Sequence, residues 1–137
     1  MNETNNTRIV RQGYERFGNG DLEGLLQLFD ENIEWTTPIT QRSSLGGTRR
    51  GRQAVAEFFG LLVETENITR FEPTEFIAQG DRVVVLGKSA ATVNATGRSY
   101  ETDWIQIFTV RNEKVTGFYE LFDTAAVERA FQKAEAA

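Results

Sequence analysis

A single glutamate in the last predicted strand is the residue of this sequence best suited to proton transfer. Glu120 lies two residues after Phe118 and two residues before Phe122. Because side chains of a strand alternate between its two faces, we expect all three to point inward together. A carboxylate among inward-facing aromatic side chains is desolvated, which raises its pKa toward neutrality, as a general acid or base requires. The alternative is a structural role, in which Glu120 is buried and paired with an Arg, a Trp or a backbone donor.

The composition excludes most other catalytic machinery. The 137 residues include no Cys and no His. This excludes disulfides, thiolate nucleophiles, Cys/His zinc sites, Ser-His-Asp triads and His proton shuttles. Acid–base chemistry must therefore come from carboxylates, Tyr, Lys or water, and we expect neither a cofactor nor a metal ion.

Charge and hydropathy limit the partners and the location. The net charge of −5 argues against binding to nucleic acid or to an anionic membrane. No apolar run approaches the length of about 18 residues that a membrane span needs. The N-terminal segment MNETNNTR is polar and does not have the pattern of a signal peptide. We therefore expect a cytoplasmic protein.

Two further carboxylates have weaker claims to a site. Asp123 immediately precedes a predicted helix, and this spacing favours an N-cap over a catalytic role. Asp103 neighbours Trp104, but its parity along the strand is opposite to that of Gln106. It should therefore face outward or toward a dimer partner, and only a β-bulge would turn it inward.

Apolar spacing and turn residues place helices first and hairpins afterwards. Helices are predicted over about 7–17, over a short segment after Asp21 that carries Leu22 to Phe29, over about 52–64, and after Asp123. Strands are predicted at 33–35, 71–78, 82–96, 99–110 and 115–122, while 41–50 reads as a polar loop. This order indicates a single α+β domain over residues 1–137, with 1–6 as a flexible tail. The short connections favour a strongly bent antiparallel sheet with helices on one face.

A series of short motifs resembles the cone-shaped fold shared by nuclear transport factor 2, ketosteroid isomerase and SnoaL-type polyketide cyclases. The resemblance covers nearly the whole chain and rests on the order and spacing of its landmarks. These are Gly20-Asp21, Glu34-Trp35-x-x-Pro38, Gly51-Arg52-x-Ala54-Val55-x-x-Phe58-Phe59, Gly80-Asp81-x-Val83-Val84-Val85, Thr96-Gly97-Arg98-x-Tyr100, Lys114-Val115 and Phe122-Asp123. The resemblance implies a deep apolar pocket enclosed by the sheet and the helices. Members of this fold isomerise, cyclise, dehydrate or hydrolyse small molecules, or have no activity, so fold alone does not give function.

Matching the ketosteroid isomerase pattern places Trp35 and Thr37 inward on the first strand. The general-base Asp of that pattern is replaced here by Thr37, and its acidic hydrogen-bond donor is replaced by Gln106. Tyr14 lies about one residue out of register with the catalytic Tyr. Both isomerase carboxylates are therefore missing, while Tyr14 and Gln106 are left as candidate donors to an oxyanion.

The C-terminal third also resembles limonene-epoxide-hydrolase-like proteins. The Arg and Asp of that pattern correspond here to Gly87 and Ser89, so this pair is absent. The Asp that those proteins carry on the last strand corresponds to Glu120.

The remaining candidates are the side chains expected to line the pocket, for most of which ordinary core packing is the alternative. A stiff aromatic lining suits a flat hydrophobic or cyclic ligand, which inward polar groups would orient. The predicted lining comprises Trp35, Thr37, Phe58, Phe59, Leu62, Ser89, Trp104, Phe108, Phe118 and Phe122.

These features favour a cofactor-free enzyme of the isomerase, cyclase or hydrolase type that acts on a small hydrophobic molecule. Glu120 is the predicted acid or base, with Tyr14 and Gln106 beside the developing oxyanion. The alternatives are a non-catalytic binding module with the same pocket, and a protein-interaction scaffold whose pocket is filled by its own aromatic residues. The family resemblance also implies a homodimer. Outward apolar residues of the last two strands would form its interface, namely Ile105, Ile107, Tyr119 and Leu121.

Overall fold

The computed structural model describes residues 2–133, which form a curved, open sheet with four helices. The helices are α1 (Glu3–Gly18), α2 (Leu22–Gln27), α3 (Arg52–Thr65) and α4 (Thr124–Phe131). The strands are β1 (Phe29–Thr37), β2 (Gly47–Arg50), β3 (Glu66–Gln79), β4 (Arg82–Val93), β5 (Ser99–Arg111) and β6 (Lys114–Phe122). They lie side by side in the order β2-β1-β6-β5-β4-β3. The predicted α+β class is confirmed.

The pairing of the strands agrees with the prediction except at β1. Strands β3 to β6 form successive antiparallel hairpins, as their short turns require. Strand β1 pairs in parallel with β6 and antiparallel with β2, so the sheet is not entirely antiparallel. Short turns dictate antiparallel pairing only between consecutive strands, and β1 and β6 are far apart along the chain.

The N-terminal segment is helical where we expected a tail. Helix α1 begins at Glu3, and the side chain of Asn2 caps it by accepting a 3.0 Å hydrogen bond from the Asn5 backbone N–H. Contacts to the β3–β4 turn hold this first part of the helix. The Glu3 carboxylate accepts from the Gly80 N–H at 2.8 Å, and the Asn6 amide donates to the Gly80 carbonyl at 3.3 Å. Tertiary contacts thus order a polar segment that has no apolar pattern of its own; Met1 lies outside the described residues.

Other boundaries also differ from the prediction. Phe29, which was predicted in the second helix, begins β1, and β4 ends at Val93 instead of residue 96. Two further differences arise because strand alternation does not mark the segment. Strand β2 lies within the predicted loop 41–50, since it is a short polar edge strand that pairs only with β1. Strand β3 begins at Glu66, earlier than the predicted residue 71. Its register shifts between Ile68 and Arg70 and again between Pro73 and Glu75. A bulge of this kind interrupts the two-residue period on which strand prediction rests.

The hydrophobic core fills the space between the concave face of the sheet and the helices. Helix α3 contributes Val55, Phe58 and Phe59, all buried. Asp123 caps helix α4, because its side chain accepts from the Ala126 N–H at 3.1 Å, which confirms the predicted cap. Among residues 2–133, no helix is long and apolar enough to cross a bilayer.

Candidate functional site

A cavity of about 150 Å³ lies between the concave face of the sheet and the helices. A closed apolar space of about this volume accommodates a benzene-sized ring. All of the predicted site residues line this cavity, although their roles stay predictions. They are Tyr14, Trp35, Thr37, Phe58, Phe59, Leu62, Ser89, Trp104, Gln106, Phe108, Phe118, Glu120 and Phe122.

Stacked aromatic rings form the walls of the cavity. Trp35 lies parallel to Phe118, with a ring-centroid separation of 3.7 Å and an interplanar angle of 11°. Trp104 stacks on Phe71 at 5.0 Å and 16°. Gly87 provides the room for Trp104, since a Cβ atom at this position would lie 2.2 Å from the indole ring. Interlocked rings of this kind give the cavity a rigid, flat-sided shape.

A chain of hydrogen bonds connects helix α1 to the last strand through the cavity wall. The Tyr14 hydroxyl donates to Gln106 Oε1 at 2.6 Å, and Gln106 Nε2 donates to Glu120 Oε2 at 2.6 Å. Gln106 and Glu120 lie directly opposite each other in the β5–β6 pair, so the sheet register fixes this contact. Gln106 Oε1 accepts the hydrogen bond from the Tyr14 hydroxyl, and the Gln106 amide N–H therefore donates to the Glu120 carboxylate.

The surroundings of Glu120 disfavour its charged form. Burial raises the pKa of Glu120 to about 7, and the nearby charge of Glu66 also raises it, while the Gln106 hydrogen bond acts in the opposite direction. The partner is a neutral amide, and no Lys or Arg among residues 2–133 forms an ion pair with Glu120. Burial and the Glu120 charge also raise the pKa of Tyr14, which therefore stays a hydrogen-bond donor at neutral pH. Glu120 can thus both hold and release a proton near pH 7.

The structure adds a second carboxyl group that the sequence analysis missed. Glu66, at the start of β3, is buried, and its Oε1 accepts a short hydrogen bond from the Tyr100 hydroxyl. Both side chains line the same cavity as Glu120. Burial raises the pKa of Glu66, and the Tyr100 hydrogen bond opposes that shift. Glu66 and Ile68 are two residues apart and therefore point to the same face of the strand, which was the available sequence signal. The bulge after Ile68 shifts the alternation by one residue, so counting back from Phe71 places Glu66 on the wrong face.

Three buried donors of the lining have no partner among the described residues. They are Trp35 Nε1, Trp104 Nε1 and Thr40 Oγ1. Unpaired buried donors are costly, and a ligand with oxygen acceptors would satisfy them. Thr37, by contrast, already donates its hydroxyl to the Leu45 carbonyl at 3.0 Å.

The two weaker carboxylate candidates lie away from the cavity. Asp123 caps helix α4. Asp103 faces outward, as its parity predicted, and accepts from Lys88 Nζ at 2.9 Å on the surface. Within residues 2–133, no group of three or more Asp and Glu side chains converges as a possible metal site.

Comparison with known proteins places the chain in a family. Residues 10–118 match the family model of the SnoaL-like domain. A nuclear transport factor 2-like protein of Burkholderia xenovorans LB400 has 40% identical residues and a TM-score of 0.88, with 96% of this chain and 99% of that chain covered. A protein of the same fold and unknown function from Burkholderia pseudomallei K96243 has 33% identity and a TM-score of 0.87, with 94% and 98% covered.

A third similar structure carries information on a ligand. It is TerC co-crystallised with polyporic acid, with 32% identity, a TM-score of 0.85, and 93% of this chain and 98% of that chain covered. No curated protein matches the chain. The family match covers residues 10–118 of the 137, and the similar structures cover nearly the whole chain. The chain therefore belongs to the SnoaL-like family and has the nuclear transport factor 2-like fold.

Proposed function

We propose that this protein catalyses cofactor-free proton transfer on a small cyclic, largely apolar molecule, as an enzyme of the isomerase, cyclase or hydrolase type. The observation that carries the proposal is Glu120. It is a carboxyl group with a pKa of about 7 that lines an aromatic cavity and is held by a neutral amide. A group with a pKa near the working pH is present in both protonation states and exchanges protons readily in either direction.

The hydrogen-bond chain positions Glu120 for this task. Gln106 anchors Oε2, and Oε1 has no hydrogen-bond partner among the described residues. In the ionised state, Oε1 would take a proton from an acidic C–H or from a water, and the protonated carboxyl would later return it. Because Tyr14 directs its one hydroxyl proton to Gln106, we assign Tyr14 a positioning role. The unpartnered N–H groups of Trp35 and Trp104 are then the free donors for a developing oxyanion.

The shape of the cavity favours a ring as substrate. A volume of about 150 Å³ suits a single ring with small substituents. TerC was co-crystallised with polyporic acid, a three-ring compound that exceeds this volume, so the matching probe here is a more compact cyclic molecule. Trp35 and Trp104 are the two Trp residues of the chain and both line the cavity, so tryptophan fluorescence reports directly on occupancy.

The test is deuterium exchange at the α-carbon of 2-indanone, a compact cyclic ketone, followed by NMR in D₂O. We expect the wild-type protein to accelerate exchange and Glu120→Gln to lower the rate by about 100-fold, the lower end of the range for a lost acid–base group. The matched control is Glu101→Gln, the same change on an exposed residue of β5, which should leave the rate unchanged. Equal exchange in Glu120→Gln would overturn the proposal. Ligand-induced fluorescence changes without exchange in the wild type would instead identify a non-catalytic binding module.

We also propose that two copies associate through the outer face of β5 and β6. Ile105 lies opposite Leu121, and Ile107 lies opposite Tyr119. Ile105, Tyr119 and Leu121 are large and exposed, and the register of β5 and β6 places them next to one another, which supports burial against a second copy. The expected cytoplasmic location stays a prediction.

A further inference from the structure

Position 87 on the inner face of β4 has no room for a side chain. Gly87 is buried, and a Cβ atom on it would lie 2.2 Å from Cζ2 and 2.4 Å from Cη2 of the Trp104 indole. The same Cβ atom would lie 2.6 Å from the Glu72 carbonyl oxygen of β3. Real Cβ atoms essentially never come closer than 3.0 Å to another heavy atom. Any residue other than glycine therefore displaces one of these neighbours.

The sheet register brings the indole ring onto Gly87. Gly87 lies directly opposite Trp104 in the β4–β5 pair and opposite Pro73 in the β3–β4 pair. The register of β3 shifts between Pro73 and Glu75, and a bulge of this kind bends the strand. A glycine beside such a bend permits the close approach of a neighbouring backbone. Gly87 is thus the point at which β3, β4 and the indole of β5 come together.

An indole ring displaced from Gly87 would move toward the cavity. The ring rests on Gly87, so the backbone of β4 lies behind it. The Phe71 ring lies nearly parallel to the indole at 5.0 Å, and the Tyr14 ring does so at 6.1 Å. Trp104 also lines the cavity. A ring pushed away from β4 therefore enters the cavity and reduces its volume.

We propose that Gly87 is a specificity-determining residue, which sets the largest ring that the cavity accepts by fixing the position of Trp104. The inference rests on the proposed function, since it assumes that the cavity binds a small cyclic molecule. It extends that function by naming the ligand class, a compound of one or two small fused rings with an oxygen acceptor. The acceptor follows from Trp104 Nε1, a buried donor without a partner among the described residues. Gly87 acts through Trp104 and is therefore a positioning residue.

The experiment measures the dissociation constants of two probes by tryptophan fluorescence. The probes are 2-indanone and 2-tetralone, which is larger by one methylene group. Gly87→Ala should weaken the binding of 2-indanone by about 10-fold and that of 2-tetralone by more, since one methylene group in a filled apolar pocket changes affinity by about 10-fold or more. The matched control is Gly60→Ala on α3, where a Cβ atom would meet nothing within 4 Å. This control should leave both constants unchanged.

A double-mutant cycle with Trp104→Phe identifies the route of the effect. A phenyl ring at position 104 lacks the indole atoms that the new methyl group would meet, and Trp35 still reports binding. In the Trp104→Phe background, Gly87→Ala should therefore weaken the binding of 2-indanone by less than about 2-fold. The contact with the Glu72 carbonyl does not involve Trp104 and would persist. An equal loss in both backgrounds would overturn the proposal, because the effect would then act through the backbone of β3.

The outcomes separate this inference from the proposed function. Wild-type affinities in Gly87→Ala, beside slow exchange in Glu120→Gln, would overturn the role of Gly87 and leave the proposed function intact. If the wild type binds neither probe, the ligand class is overturned.

Two further measurements keep the role of Gly87 testable. A crystal structure of Gly87→Ala with the indole in its original place and a cavity of about 150 Å³ would overturn that role, whether or not a probe binds. Circular dichroism of each variant establishes folding. If Gly87→Ala does not fold, Trp104→Phe decides, because a smaller ring should enlarge the cavity and favour 2-tetralone relative to 2-indanone. An unchanged ratio of the two dissociation constants in that variant contradicts the proposal.

Discussion

Strands β5 and β6 have two faces built from alternate residues of the same short segments, and the two faces differ in chemistry. The inner face presents Gln106 and Glu120 among stacked rings that are almost completely buried. The outer face presents Ile105, Tyr119 and Leu121, which are 38%, 47% and 46% exposed. A one-residue step along the chain thus separates a polar pair in an apolar cavity from apolar side chains in water.

This difference shows how the fold produces a reactive group from ordinary residues. On the inner face, loss of solvent makes a glutamate carboxyl titrate near neutrality and leaves indole N–H groups without partners. On the outer face, the apolar side chains are removed from solvent only when a second molecule covers them. The inner face therefore carries the candidate site, and the outer face carries the interface that we propose for association.

The largest expected effect is the loss of packing on the inner face. Phe118→Ala should lower the free energy of unfolding by about 3–5 kcal/mol, because it leaves a void and removes the ring that stacks on Trp35. The matched control is the next residue, which points outward. At low protein concentration, Tyr119→Ala should change the free energy by less than about 0.5 kcal/mol. Urea unfolding of both variants gives the comparison, and equal losses would show that the two faces do not differ in packing.

The second effect is a pH dependence of stability that arises from Glu120. The pKa of Glu120 in the folded state is about 7, above its unfolded value of about 4.3. Between these values the folded state binds more protons than the unfolded state, so stability falls as pH rises. The loss should reach about 3 kcal/mol by pH 8, relative to pH 4.

Glu120→Gln isolates this contribution. Between pH 4 and pH 8, the free energy of unfolding of this variant should not show the part of the decline that Glu120 causes in the wild type. The reason is that an amide does not titrate in this range. The control Glu101→Gln, at an exposed position, should keep the decline. Parallel curves for the wild type and Glu120→Gln would mean that Glu120 titrates as an exposed carboxyl group does.

Regular alternation made the inner face predictable from the sequence. Phe118, Glu120 and Phe122 are spaced by two residues in an unbroken strand, whereas Gln106 was identified through the resemblance to the ketosteroid isomerase pattern. The turn residues between the last four strands predicted their order, and the acidic residue before α4 predicted its cap. These signals are local, so they could be interpreted without tertiary contacts.

The parts of the site that the sequence did not predict depend on long-range contacts or on broken periodicity. Glu66 lies behind a bulge that reverses the apparent parity of β3. Its partner Tyr100 lies on β5, and only the sheet brings the two together. Similarly, the first turn of α1 depends on the β3–β4 turn, and β2 depends on pairing with β1. A pattern within one segment does not encode such contacts.

The smallest expected effect on stability comes from a substitution on the outer face. The quantity measured for this substitution is the oligomeric state, since we propose that this face forms a dimer. Leu121→Lys places a charge in the centre of the apolar patch, which should convert a dimer to a monomer in sedimentation experiments. The stability of the monomer should change by less than about 0.5 kcal/mol, because Leu121 is already 46% exposed. The control is Val63→Lys, since Val63 is a 74% exposed apolar residue on α3, away from this face, and it should remain dimeric. A monomeric wild-type protein, or dissociation in both variants, would remove the outer face from the proposed interface and leave the inner face as the functional part of the sheet.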